Sequence, residues 1–122
     1  MVKKSFCIFV KTKRKSVKEI IYQKFLDVDE LEKLRMRIKT EKGKVIDMVV
    51  QYESFLNDKW TPIVRYDCAH GFFHRDLLYS SGEKEKQTIN ISSLEDALNY
   101  GEQDIKDRWE FYKERYLKKI KK

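Results

Sequence analysis

The sequence predicts an α+β fold, an antiparallel meander sheet of about four to five strands with a long C-terminal helix packed across it. Two periodicities predict it. Between residues 34 and 79, apolar and polar residues alternate with the period of two typical of half-buried strands. From residue 92 to 119, apolar residues recur at helical spacing instead. The 122 residues suffice for one modest core, so we expect a single domain.

The N-terminal quarter contains one clear strand and one ambiguous segment. Ser5–Lys11 is a continuous apolar run, which predicts a buried strand. Ser16 and Glu19 have the spacing of a capping box, and the apolar residues that follow fit a helix over residues 16–26. The same residues, Ile20–Tyr22 above all, also fit a strand, because the period of a short apolar run does not decide between the two. The sequence leaves both alternatives open.

The middle of the chain predicts two strands separated by polar turns. Leu34–Lys39 alternates cleanly and has a basic outer face. Val45–Phe55 is the longest strand candidate. Glu41–Lys44 and Asn57–Asp58 supply the turns on either side of it.

A β-hairpin is predicted where the chain concentrates its ionisable residues. Thr61–Cys68 and Phe72–Tyr79 are its strands. His70–Gly71 fits a two-residue turn, because glycine accepts a positive φ and histidine tolerates it. We prefer this turn to a three-residue loop because it separates polar from apolar side chains. A slip of one residue would reverse the separation.

The two-residue turn fixes the register of the hairpin. It places Asp67 opposite His74 and Arg65 opposite Asp76, so each pair is of opposite charge or hydrogen-bonded on one face. Arg75 is the exception on the other face and must extend to water or meet a carboxylate. The remaining residues of that face form a core surface and are Val64, Tyr66, Cys68, Phe73 and Leu77.

The C-terminal third predicts a short strand, Thr88–Ile91, and then the long helix. Ser92 is a favourable N-cap, with Glu95 three residues later. Gly101 costs about 1 kcal/mol relative to alanine inside a helix, so it marks either close packing on the sheet or a bend. The apolar stripe of the helix comprises Leu94, Ala97, Leu98, Gly101, Ile105, Trp109, Tyr112, Tyr116 and Ile120.

Charge is the feature of the composition that bears most on function. The net charge is +7, and the excess lies in residues 3–18 and 118–122. Basic ends favour contact with RNA or another polyanion, although they also suit solubility and a helix C-terminus. Cys7 and Cys68 lack metal-site spacing, so we expect buried thiols. No apolar run approaches the ~20 residues of a membrane span and no signal peptide is recognisable, so we expect a cytoplasmic protein.

The hairpin supplies the candidate catalytic residues, His70, His74, Asp67 and Arg65. Imidazoles exchange protons near neutral pH, a neighbouring carboxylate fixes the tautomer, and arginine neutralises a phosphate. RNA cleavage needs little more, because the 2′-hydroxyl is its own nucleophile. The alternative is a polar network that only holds the register of the hairpin. The candidate binding residues are Arg75, Asp76 and Tyr66.

We predict no metal and no cofactor. His70 and His74 with Asp67 and Asp76 offer nitrogen and oxygen ligands, but H-x-x-x-H spacing aligns two imidazoles on a helix and not across a turn. The four glycines are scattered, so no glycine-rich phosphate loop is present.

A basic strand face is the candidate for nucleic-acid binding without catalysis. Arg35, Arg37 and Lys39 share that face. The alternative is a solvated face with an aromatic core behind it. The aromatic residues expected to stack on bases are Tyr52, Trp60 and Tyr66.

The hairpin block R-Y-D-C-A-H-G-F-F-H-R-D (Arg65–Asp76) resembles a family of uncharacterised small prokaryotic proteins. The resemblance extends to V-V-Q-Y-E (Val49–Glu53) and K-W-T-P-I-V (Lys59–Val64) before the block. It also includes W-E-F-Y-K-E-R-Y (Trp109–Tyr116) after it, and covers roughly residues 45–117. This resemblance implies no established activity.

More distantly, R-Y-D-x-A followed by histidines is similar to TumE-type toxins of toxin–antitoxin pairs. The matching positions are Arg65, Asp67 and His70. Those toxins carry more histidines after the block, whereas this chain has only His70 and His74. The likeness implies a small basic α+β protein that acts on RNA and pairs with an antitoxin-like protein.

These observations lead to two functional hypotheses. The first is a basic cytoplasmic protein that engages RNA or another polyanion as a toxin-like ribonuclease. The second is a non-catalytic interaction module in which the hairpin block is structural. Tyr100 and Phe111 lie off the main helical stripe, and a second apolar strip of this kind favours a homodimer.

Overall fold

The computed structural model describes residues 6–12, 17–68 and 72–120, with only the backbone described in the first range and at 119–120. These described residues form seven strands and one helix. The elements are β1 (Phe6–Thr12), β2 (Val17–Phe25), β3 (Glu32–Glu41), β4 (Lys44–Leu56), β5 (Lys59–Asp67), β6 (His74–Leu78), β7 (Lys84–Thr88) and α1 (Leu94–Ile120).

The strands form one antiparallel meander sheet, in which each strand lies beside its neighbours in sequence. This confirms the predicted α+β class and the helix packed across the sheet. The sheet is wider than the predicted four to five strands, because residues at both of its ends also pair.

The ambiguous segment is strand β2 rather than a helix. Its residues pair on both sides, for example Ile20 with Val10 of β1 and with Ile38 of β3. β-Branched side chains fit the pleat between two strands well, so tertiary pairing decides a segment whose own period is ambiguous. The helical alternative for residues 17–25 was therefore wrong.

The last strand lies earlier in the chain than predicted. β7 covers Lys84–Thr88, whereas Thr88–Ile91 was expected to be the strand. The sequence K-E-K-Q-T has no apolar alternation, because β7 is an edge strand with little burial, and charged side chains are usual on such edges. Among the described strands it pairs only with β6, which is why a pattern based on burial misses it.

The helix begins one residue later than predicted. Ser93 is the N-cap: its Oγ accepts a hydrogen bond from the backbone N–H of Asp96 at 3.1 Å. Glu95 does not close a capping box on Ser92. Its carboxylate instead accepts the N–H of Val45 on β4, at 3.2 Å, and so ties the start of the helix to the sheet.

The core lies between α1 and one face of the sheet. The helix and the sheet approach closely at Gly101, where a Cβ atom would lie only 3.2 Å from the ring of Tyr66. Of the two alternatives for this glycine, close packing is therefore the correct one. The buried core side chains are Leu34, Met36, Met48, Val50, Tyr52, Ile63, Val64, Tyr66, Phe73, Leu77, Ala97, Ile105, Tyr112 and Tyr116.

A polar network inside this core joins the helix to the hairpin. Tyr66 and Tyr112 both donate hydrogen bonds to the carboxylate of Asp104 on α1. Arg75 Nη1 donates to both phenol oxygens at 3.0 Å and lies 3.6 Å from Asp104. Burial and the bond to Asp104 raise the pKa of Tyr66 well above its usual value, so the phenol stays a donor. Asp104 is therefore the carboxylate that Arg75 was predicted to meet on the core face.

We expect Gly101→Leu to lower the free energy of unfolding by about 1–3 kcal/mol, because Tyr66 is fully buried and hydrogen-bonded and has no room to withdraw. Urea denaturation followed by circular dichroism measures this. Gln103→Leu is the control, since it introduces the same side chain on the exposed side of the helix, where no neighbouring ring is displaced. Equal stability of the Gly101 variant and the wild type would contradict the close packing.

Candidate functional site

The face of the sheet opposite α1 carries the polar side chains that the hairpin was expected to gather. Among the described elements, none packs on this face, which we call the open face. Two cross-strand rows run over it. The first row comprises Arg35, Gln51, Arg65, Asp76 and Lys86, and the second comprises Arg37, Val49, Asp67, His74 and Thr88.

The register of the β5–β6 hairpin confirms the predicted pairing. Asp67 lies opposite His74 and Arg65 opposite Asp76, both on the open face. His70 and Gly71, the predicted turn, lie outside the described residues. The role predicted for His70 therefore stays a prediction, and the described part of the site contains one histidine.

Asp67, His74 and Asp76 form the polar cluster of the open face. His74 is buried, and its Nε2 atom lies 2.6 Å from Asp67 Oδ1. Its Nδ1 atom faces the carbonyl oxygen of Phe72 at 3.2 Å, and the ammonium of Lys86 lies 3.2 Å from Nε2. One ligand atom from each of the three residues lies within 4.8 Å of the others.

Asp76 is the least satisfied member of the polar cluster. Its side chain is only 4% exposed, and Oδ1 has no hydrogen-bond partner. The nearest cations are the ammonium groups of Lys84 and Lys86, each 3.9 Å from a carboxylate oxygen. A buried carboxylate held only at this distance is an unusual arrangement, since buried charges are normally both paired and hydrogen-bonded.

Beside the polar cluster lies a layer of half-exposed arginines, formed by Arg35, Arg37 and Arg65, whose side chains are 53, 48 and 44% exposed. Each guanidinium lies 3.2–3.6 Å from a carboxylate that is much more buried. Those carboxylates belong to Glu53, Glu19 and Asp67. A ligand that approaches the open face therefore meets the positive groups first.

Two shallow depressions in the open face share Gln51 and Arg65. One, of about 190 Å³, lies among the arginines and is lined by Arg35, Arg37, Val49, Gln51 and Arg65. The other, of about 360 Å³, lies over the polar cluster and also reaches Pro62, Leu78, Lys84 and Lys86. An extended ligand can therefore contact the arginines and the polar cluster together.

Aromatic side chains border the arginine layer at one end. Trp60 packs against Phe25 and Phe55, with ring centres 6.2 and 5.3 Å away, and the ammonium of Lys33 lies 4.1 Å from the centre of a Trp60 ring. The two other aromatic residues expected to stack on bases, Tyr52 and Tyr66, have no exposed surface because they point into the core beneath α1.

The predicted site residues thus divide between the two faces of the sheet. Arg65, Asp67, His74 and Asp76 lie together on the open face. Tyr66 and Arg75, which were predicted to bind a ligand, lie on the helix side and bond to Asp104 and Tyr112. A ligand on the open face does not reach them, because the sheet lies between.

Comparison with known proteins gives a family. Residues 11–122 match the family described as a domain of unknown function, DUF7718. The chain belongs to that family. Searches of curated proteins and of solved structures found no match. Membership of DUF7718 agrees with the predicted uncharacterised family and assigns no reaction, whereas the likeness to TumE-type toxins stays a prediction.

Sequence reasoning missed part of this DUF7718 site. Lys84 and Lys86 alternate with Glu85, which was a signal that both lysines share one face of a strand. Glu53 and Glu19, which hold the arginines, gave no comparable signal because their pairing depends on strand register. Within the described residues no helix is both long and apolar enough to cross a membrane.

Cys68 is excluded as a nucleophile by its surroundings. Its Sγ atom points toward the core, 3.5 Å from Met48 Sδ. Burial, with the nearby carboxylates of Asp47 and Asp67, raises the pKa of the thiol to about 11. At pH 8 about one thiol in a thousand is then ionised, and only the thiolate reacts.

We expect iodoacetamide to alkylate Cys68 at pH 8 at least tenfold more slowly than it alkylates free glutathione, because the smaller thiolate fraction outweighs the higher intrinsic reactivity of a thiolate of raised pKa. The rate should rise about tenfold per pH unit up to the raised pKa, because the thiolate fraction does. Peptide mapping by mass spectrometry follows Cys68 separately from Cys7. Alkylation of Cys68 as fast as that of glutathione would show that the pKa of its thiol is not raised.

Proposed function

We propose that the open face binds single-stranded RNA. The observation that carries this proposal is the layered arrangement of charge, with exposed guanidinium groups over buried carboxylates. The carboxylates hold the arginines in place, so little side-chain freedom remains to be lost on binding. Phosphate is the ligand that this array favours, because guanidinium groups bind its oxygens in pairs.

The shape of the face favours a single strand over a duplex. Arg35 and Arg65 are separated by one strand, β4, which places them roughly 10 Å apart across the sheet. Trp60 and Phe55 at the end of the layer offer apolar ring surface, and bases of a single strand are free to stack there. The face of a sheet that carries cations and aromatic rings is a common surface for such binding.

Ribonuclease activity is supported less well than binding. The Asp67–His74 pair has the contact expected of an acid–base pair, but the His74 side chain is 5% exposed and both ring nitrogens already have partners. These features fit the alternative hypothesis, in which the polar block holds the hairpin. The toxin-like ribonuclease, an antitoxin-like partner and a homodimer remain predictions; Tyr100 and Phe111 are exposed, as a homodimer requires.

The double variant Arg35→Gln/Arg65→Gln should weaken RNA binding roughly 10- to 30-fold at 0.1 M salt and reduce the salt-dependence slope by about 1.4, because two phosphate contacts are lost. Fluorescence anisotropy with a labelled oligouridine of about 20 nucleotides measures both quantities. These two arginines are suitable for substitution because the carboxylates beside them retain other contacts. Glu53 still contacts Gln51 and Lys33, and Asp67 still contacts His74.

The matched control is Lys106→Gln/Arg108→Gln, which removes the same net charge from α1 on the other side of the sheet. We expect it to retain binding within about threefold of the wild type. An equal loss of RNA affinity in the two double variants would show that binding follows net charge alone and would contradict the proposal. A wild-type protein that does not bind RNA would contradict it as well. Melting temperatures establish that each variant is folded.

Gel analysis of the same mixtures tests cleavage separately. If the protein is a ribonuclease that uses His74, His74→Gln should abolish RNA degradation while RNA binding and the melting temperature stay close to wild type. If the histidine is only structural, the wild type should bind RNA without degrading it, and His74→Gln should lower the melting temperature because Asp67 loses its 2.6 Å contact with the imidazole.

A further inference from the structure

The polar cluster carries a feature that RNA binding does not explain, namely two acceptor groups that face each other. The carbonyl oxygen of Phe72 only accepts hydrogen bonds, so His74 Nδ1 must carry the proton that it receives. In the neutral ring, Nε2 then presents a lone pair to the Asp67 carboxylate at 2.6 Å. Two acceptors at this distance require a proton or another cation between them.

Asp76 requires positive charge at the same place. Its buried Oδ1 atom has no hydrogen-bond partner and faces Lys86 at 3.9 Å, and the same ammonium lies 3.2 Å from His74 Nε2. Three ligand atoms thus converge on a position that is bordered by a lysine ammonium. The Lys86 side chain is half exposed, so it can leave without disturbing the core.

We propose that Asp67, His74 and Asp76 bind a first-row divalent metal ion at the position that the Lys86 ammonium borders. An imidazole with two carboxylates suits Mn²⁺ or Zn²⁺, and three protein ligands leave positions for water. The Phe72 carbonyl supplies the outer partner that a metal-binding histidine normally has on its other ring nitrogen.

The geometry requires only small movements to accept the ion. Ligand atoms lie about 2.0–2.2 Å from such ions, so two ligands of one ion are roughly 3 to 4.4 Å apart. The three present ligand atoms lie within 4.8 Å of one another. The contact between His74 and Asp67 must open from 2.6 Å by about half an ångström.

This inference goes beyond RNA binding and is tested without RNA. The probe is Mn²⁺ alone, chosen because manganese prefers oxygen and nitrogen to the thiols of Cys7 and Cys68. Electron paramagnetic resonance counts free Mn²⁺ in a titration. Electron spin-echo spectroscopy then detects whether an imidazole nitrogen is bonded to the protein-bound ion.

We expect one Mn²⁺ per chain, with a dissociation constant below about 1 mM and a nitrogen coupling. Asp76→Asn, which is nearly isosteric, should weaken binding at least tenfold, whereas Asp29→Asn in the exposed β2–β3 connection should leave it unchanged. Lys86→Gln should strengthen binding about tenfold, because it removes a competing charge a few ångströms from the ion.

The two histidines give the decisive comparison. His74→Gln should abolish the nitrogen coupling, and His70→Gln should leave it intact. The melting temperature of each variant shows whether it is folded. If His74→Gln does not fold, the Mn²⁺ affinity of Asp76→Asn tests the proposal instead. The proposal is overturned if Mn²⁺ does not bind, if Asp76→Asn binds as tightly as the wild type, or if the coupling depends on His70 instead. In the first case a proton on His74 and the ammonium of Lys86 supply the positive charge at this position instead of a metal ion.

Discussion

The pairing of β5 with β6 is the constraint on which the rest of the structure depends. Because side chains of a strand alternate between faces, the register that sets Asp67 opposite His74 also sets Tyr66 opposite Arg75. A slip of one residue would bring Asp67 beneath the helix and carry Tyr66 into water. The same register therefore fixes the core and the open face at once, and neither can change without the other.

The helix side shows how the fold accommodates charge within an apolar core. Arg75 and Asp104 form a close ion pair, and the phenols of Tyr66 and Tyr112 complete their hydrogen bonds. A second contact of this kind involves Glu32, which accepts hydrogen bonds from Tyr52 on the sheet and from Lys113 on the helix. Removing one member of such a network leaves a buried charge unpaired, which is why these contacts specify where the helix lies on the sheet.

The sequence predicted the hairpin register and the direction of its side chains, because the alternation of polar and apolar residues determines both. It left β2 undecided, because that strand depends on pairing with β1 and β3 and not on the period of its own residues, and it misplaced β7, which is an edge strand with little burial. The candidate site followed the same division. Asp67, His74, Arg65 and Asp76 were predictable as one group, whereas Lys86 was not, since its position beside His74 results from the pairing of β7 with β6.

The two parts of the open face differ in how their charges are compensated, and this difference bears on what each part does. Beneath the arginines every named carboxylate has a cation within 3.2–3.6 Å, so this region is stable without a ligand and presents its remaining charge to solvent. In the polar cluster, Asp76 is buried with cations no closer than 3.9 Å and a carboxylate oxygen without a hydrogen bond. An apolar residue of similar size would be expected to stabilise the fold at least as well as such a carboxylate. A contribution to the stability of the fold therefore accounts for the arginine layer. It accounts less well for the buried carboxylate of Asp76, whose missing contacts a bound cation would supply.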